Sequence, residues 1–218
     1  MSGKSKGHLY HHKDLKGTLL RSAVDELRQY GPTQVSLRRI AVRAGVSHAA
    51  PYRHFKSKDG LLATLAWEGQ SLFTKSLLQA RENGDPAPAE RLMRLGTVYL
   101  EFARQRPEMM ELMFSETGTR AMQAHPPPDF EESIGKYDSF GVLETTVREC
   151  QAEGTLDPQS DSGALAMIIW SFVHGYAVIR REGFTASMGA SRGYSDQATD
   201  DMVWSAFRRL MLSGVQRS

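Results

Sequence analysis

Residues 36–60 read SLRRIAVRAGVSHAAPYRHFKSKDG, and the fold turns on this stretch. Ser36 can lend its side-chain oxygen to the orphan backbone N–H groups of a short helix running through Ala44. Gly45 suits the left-handed residue that stops such a helix. Val46 is an apolar plug, Ser47 is the next N-cap, and a second helix is expected over about 48–55. Pro51 falls within or just after the first turn there, where a lost N–H costs least. Helix, glycine turn, helix is the helix-turn-helix construction, with Ile40, Ala41, Val46 and either Tyr52 or Phe55 setting the interhelical angle.

Helical periodicity continues on both sides of this stretch. Leu15, Leu19, Ala23 and Leu27 recur every fourth residue and predict a helix over roughly 12–30, stopped by Gly31-Pro32. A long amphipathic segment starts near Lys58, and residues 83–88 (NGDPAP) form a loop. A further helix carries Leu92, Leu95, Tyr99 and Phe102 and ends before Pro107, which suits the first position of the next helix. Pro126-Pro127-Pro128 is a break, and a helix follows to about Glu153, closed by Gly154. Residues 161–182 form an apolar helix. Its longest apolar stretch, Ala164 to Ile179, contains Ser171, His174 and Gly175 and falls short of the ~20 residues needed to span a bilayer, so a buried helix and no membrane are expected. The Gly/Ser-rich stretch 183–195 reads as a loop and 196–213 as the last helix. The fold class is all-α, with the helix-turn-helix in 1–56 and a helical body over 57–218.

Charge divides along the same line. Residues 1–60 hold 12 Lys+Arg against 4 Asp+Glu, and the remainder holds 15 against 21. A basic head on an acidic body points to a polyanion partner at the head. The front of the second helix would meet base edges in the major groove of double-stranded DNA, namely Ser47, His48, Ala49, Ala50 and Pro51. Neither Arg nor Asn stands among those five, so much of the readout is expected to be of DNA shape. Tyr52, His54, Lys56 and Lys58 suit phosphate oxygens, and Thr33, Ser36, Arg38 and Arg39 suit the other strand.

The run SLRRIAVRAGVSHAAPYRHFKSKDGLLATL closely resembles the TetR-family signature, in which a Tyr-x-His-Phe-x-x-Lys block closes the recognition helix. Tyr10-His11-His12-Lys13-Asp14-Leu15 and Met110-Glu111-Leu112-Met113-Phe114 resemble one branch of that family. The branch is named for a Trp-His-Gly element, which Trp170, His174 and Gly175 resemble. The resemblance implies about nine helices with a three-helix DNA-binding head, in a cytoplasmic repressor released from a palindromic operator by a small effector. It also implies a homodimer through the last two long helices, about 161–182 and 196–213, and an effector pocket in the body. Tyr99, Phe102, Met110, Met113, Phe114, Tyr137, Phe140, Trp170 and His174 are the candidate pocket residues, and each would serve equally as core.

Other chemistries find little support. His8, His11 and His12 lack the carboxylate and cysteine partners of a metal site, so neither metal nor cofactor is expected. Cys150, the single cysteine, reads as packing rather than a redox sensor. No nucleophile-and-base set or phosphate loop stands out, so no enzyme is expected. Two rival readings stay open: a helical enzyme with an incidental helix-turn-helix, and a module whose basic head meets an acidic protein or membrane surface.

Overall fold

The computed structural model describes residues 14–83 and 87–212. Among these there are ten α-helices, three short 3₁₀ turns and no strand. His8, His11, His12 and the Tyr10–Lys13 part of the branch resemblance lie outside the described residues. Two compact units are formed: the described residues up to Gln70 with Arg106–Glu132, and Ser71–Gln105 with the described residues from Ser133 onward.

In the first unit, α1 (Leu15–Tyr30) is capped by the Asp14 carboxylate, which accepts from Gly17 N at 2.9 Å. It buries Leu19, Leu20, Ala23 and Leu27, the expected stripe. Short α2 (Leu37–Arg43) starts at Ser36, whose oxygen accepts from Arg39 N, and stops before Gly45 at φ +69. The first part of α3 (Lys58–Glu82) adds Leu61, Leu62 and Leu65 to the same core. After Gln105, α5 (Pro107–Phe114) and α6 (Glu116–Ala124) complete it with Met109, Leu112 and Ala121. Arg28 of α1 donates to the buried Glu108 of α5 at 2.7 Å, across 80 residues of sequence. Pro107 opens α5 as expected. Helix α6 was not expected. Its signal is Ser115, whose oxygen accepts from Gly118 N at 3.1 Å.

In the second unit, α4 (Pro88–Gln105), α7 (Ser139–Glu153) and α8 (Ser162–Arg181) surround a core of Leu92, Val147, Cys150, Ala166, Ile169 and Phe207. Gly154 ends α7 in the left-handed conformation at φ +79. Burial pushes the Cys150 thiol up to about 11, so the side chain stays protonated packing rather than reactive thiolate. Two expectations change here. Residues 183–195 are not a loop throughout, because α9 (Phe184–Ala190) forms within them before α10 (Asp196–Leu212). Its place against α10 depends on Gly189, where an added Cβ would lie 2.2 Å from Thr199 Oγ1. Nor is α8 a buried helix. It runs 20 residues and holds an 18-residue stretch with a mean hydropathy of 1.6, long and apolar enough to cross a membrane by length and composition, yet only 22% of that stretch is buried. Ala166, Ile169, Val173 and Tyr176 face inward, while Met167, Ile168, Val178 and Ile179 form an exposed apolar stripe at helical spacing.

Candidate nucleic-acid interface

The element after Ser47 is not the α-helix that the capping pattern suggests. Residues 48–50 form a turn and Pro51–Arg53 a 3₁₀ turn. Ala50 N bonds Ser47 O at 2.9 Å, Arg53 N bonds Ala50 O at 3.2 Å and His54 N bonds Pro51 O at 3.0 Å, all three residues back. The cause is Pro51. It has no N–H to return to Ser47 O, so the α ladder cannot start, and the tighter three-residue bonding takes its place. No side-chain cap forms at this element, so Ser47 is not the N-cap it was expected to be.

The tighter turn decides which side chains face outward. Ala50 and Pro51 point into the head and are buried, as is Phe55, so neither Ala50 nor Pro51 presents a side chain to a groove. Ser47, His48, Ala49, Tyr52, Arg53 and His54 are exposed. Tyr52, 60% exposed, therefore leaves the interhelical packing to Phe55, with Ile40 and Ala41 buried beneath and Val46 packed against the same core. Ser47, His48 and Ala49 are the expected base-edge residues that remain available.

The basic residues sort themselves by partner. From Arg28 to Lys58 inclusive the chain has seven Lys or Arg and no Asp or Glu. Four of the seven are committed within the unit. Arg28 binds Glu108 and Asp25. Arg39 donates to Glu26 and to Gln34 O, and its guanidinium lies 4.4 Å over the Tyr30 ring. Arg43 reaches Gln29 at 2.8 Å and Glu26 at 3.8 Å. Lys58 Nζ donates to Thr33 O at 2.8 Å, which joins two of the expected phosphate residues to each other. Arg38, Arg53 and Lys56 are exposed and hold no partner among the described residues. Ser36 is engaged twice over, as the α2 cap and through its N–H to Glu26 Oε1 at 3.3 Å.

Glu26 is fully buried, and a buried carboxylate that loses its ion-pair partner is strongly destabilising. Arg39→Ala is therefore expected to cost about 3 kcal/mol, the lower end for such a loss because Arg43 stays nearby. Arg38→Ala should leave the melting temperature unchanged and lower the salt slope of DNA binding by about one. Thermal unfolding beside a salt titration separates the two; equal melting temperatures for both variants would refute the structural role of Arg39.

The nine candidate pocket residues divide between the units. Met110, Met113 and Phe114 lie on α5, with both methionines buried. In the second unit Tyr99, Phe102 and His174 gather round Phe73. The Phe73 ring centroid is 5.2 Å from that of Tyr99 and 5.0 Å from that of Phe102. Tyr99 Oη and His174 Nδ1 are 2.6 Å apart, and Trp170 stacks on His174 with centroids at 4.9 Å. Burial, with the Arg181 charge as a lesser cause, holds the His174 imidazole below its ordinary pKa, so it is neutral near pH 7 and can accept the Tyr99 hydroxyl proton in a hydrogen bond. Burial pushes the Tyr99 phenol upward, which keeps it a donor. Tyr137 is buried behind the turn Ile134–Lys136, and Phe140 packs on the second core. An open cleft of about 490 Å³ among α4, α8 and α10 is lined by other residues, including Glu101, Arg104, Arg180, Asp200 and Trp204, none of which was anticipated.

A short capped helix, a left-handed glycine and an acid-free basic segment define a helix-turn-helix DNA-binding protein. Comparison with known proteins agrees. Residues 19–65 match the N-terminal domain of bacterial regulatory proteins of the TetR family, and 92–203 match the Tetracyclin repressor-like C-terminal domain. The chain belongs to the TetR family, whose members are transcriptional regulators rather than enzymes. It is 27% identical over 165 residues to the nucleoid occlusion factor SlmA of Marinobacter nauticus, covering 72% of this chain and 79% of that one. Among solved structures, a Rhodococcus protein described as of unknown function superposes with a TM-score of 0.70 at 27% identity, over 94% of this chain and 99% of that one. FadR from Bacillus subtilis, solved in complex with stearoyl-CoA, shares the fold with a TM-score of 0.65 at 17% identity, over 92% and 100%.

Proposed function

We propose that the chain is a cytoplasmic repressor that binds a near-palindromic operator as a homodimer and is released by a small, largely apolar effector. The observation that carries this reading is the outward-facing turn of Ser47, His48, Ala49, Tyr52 and His54, flanked by the unpaired cations Arg38 and Lys56. Residues 1–56 read the DNA, and 57–218 hold the effector and the partner. The homodimer forms through 161–182 and 196–213, where Met167, Ile168, Val178, Ile179, Met202 and Leu210 are exposed apolar side chains. One helix of membrane-spanning length does not make this a membrane protein: Tyr176 and Arg180 on α8 both bind Asp200 of α10, which commits that face to the body.

The effector pocket is assigned to the second unit, with Tyr99, Phe102, Tyr137, Phe140, Trp170 and His174 as its candidates, while Met110, Met113 and Phe114 belong to the first unit. Trp170, His174 and Gly175 also support placing the chain in the Trp-His-Gly branch. Stearoyl-CoA, found in the FadR complex, is the first effector to try. An effector acts here by preferring one head separation over another, which is a population shift between two dimer states.

Fluorescence anisotropy against DNA upstream of the gene and a scrambled duplex, at two salt concentrations, tests the reading. A preference of at least ~10³ for the native fragment with a steep salt dependence supports it. The combined variant Tyr52→Phe, His54→Ala, Lys58→Ala should lose affinity and flatten the salt slope; unchanged values would refute the phosphate assignment. The likeness to a nucleoid occlusion factor favours a second reading, a part in nucleoid occlusion rather than in an effector-controlled operator switch. In that case operator affinity would stay constant across acyl-CoA and apolar ligand titrations.

A further inference from the structure

We propose that Arg53 is the base reader of this head and that it recognises a guanine in each operator half-site. The inference rests on the operator-binding reading above and adds a residue that the sequence pattern passes over. An α-helix begun at Ser47 would place the reading residues in its first turn. The 3₁₀ turn instead buries Ala50 and Pro51 and turns Tyr52, Arg53 and His54 outward. The Arg53 backbone is anchored by its N–H to Ala50 O, while its guanidinium has no hydrogen bond or ion pair with any described residue.

The other exposed side chains of residues 47–55 cannot make the same contact. Ser47 and Ala49 are short, and His48, Tyr52 and His54 present single polar atoms to a given partner. Only a guanidinium offers the planar fork that matches guanine O6 and N7 together. Small residues at 47 and 49 let the turn approach the groove floor, which brings a long side chain at 53 within reach of a base edge. Phosphate contacts have other suppliers of charge, Arg38 and Lys56, both exposed and unpaired. Arg39 and Arg43, by contrast, are drawn back by Glu26 and Gln29. Direct readout of a guanine is therefore added to the readout of DNA shape that residues 47–51 suggest.

The test is selection of binding sites from a random duplex pool with the full chain, followed by anisotropy on the selected site and a scrambled duplex. Wild type should enrich a two-fold symmetric site with one strongly preferred guanine per half. In Arg53→Ala that position should flatten while the rest of the site persists. Arg53→Lys keeps the charge and loses the fork, so the preference for the selected site should fall about ten- to hundredfold with an unchanged salt slope. Full specificity in Arg53→Lys, with Arg53→Ala weakening both duplexes equally and lowering the salt slope by about one, would place Arg53 on a phosphate and overturn the proposal. Failure of wild type to enrich any sequence would overturn the operator reading itself, before a variant is compared. Arg53 is exposed, so both variants should melt with wild type, which separates lost recognition from lost fold.

Discussion

Ile168→Asp with Ile179→Asp is expected to convert the protein to a monomer and to lower operator affinity at least about a hundredfold, as a second tethered head adds roughly 10²–10⁴ to binding. Both side chains lie on the outward stripe of α8, at 58% and 43% exposure in the single chain, so the substitutions should leave each chain folded. The same stripe carries the small residues Ala164, Ser171 and Gly175, over which a second helix can approach closely. Burying two carboxylates there without partners would oppose association, while in the monomer they simply face water. Light scattering after size exclusion reports the mass, circular dichroism the fold, and anisotropy the affinity. A stable dimer carrying both aspartates would move the interface away from α8.

The second large effect is expected at Gly118→Ala, where α5 meets α6. A Cβ on residue 118 would lie 1.7 Å from the carbonyl oxygen of Leu112 and 2.8 Å from its carbon. A flexible side chain could step aside, but these are backbone atoms of the preceding helix, and Leu112 is fully buried. The corner must open for the methyl group to fit, at a cost of about 3 kcal/mol, the upper end for overpacking in a core. For a chain of this size that lowers the melting temperature by roughly 6–12 °C. The corner belongs to the same unit as the head and supplies Leu112 and Ala121 to its core, so operator affinity should fall along with it. An unchanged melting temperature would mean that the two helices separate here without losing their packing.

Much of this molecule is legible one segment at a time. The stripe of Leu19, Ala23 and Leu27, the cap at Ser36, the stops at Gly45 and Gly154 and the opening Pro107 all act within about one helical turn, and each occurs where the residues predict it. The 3₁₀ turn at Pro51 was legible in principle, since the missing N–H is a local fact, although position in the first turn suggested it would be tolerated. Helix α9 had no such signal. It is seven residues long, has no side-chain cap, and depends on Gly189 meeting Thr199 of α10.

The sequence by itself determined an all-helical chain, its helix-turn-helix and its TetR-type signature, because capping, periodicity and glycine stops are interactions between residues a few positions apart. Only the tertiary structure decided that α5 and α6 share a core with the head, since Arg28 and Glu108 meet across 80 residues. It alone separated Arg38 from Arg39, adjacent side chains of identical chemistry, by placing a buried Glu26 beside one of them. It also turned the apolar length of α8 into two faces, one packed and one open. Which side chain is free to meet a partner depends on what folding brings against it from elsewhere in the chain, and local pattern carries no record of that.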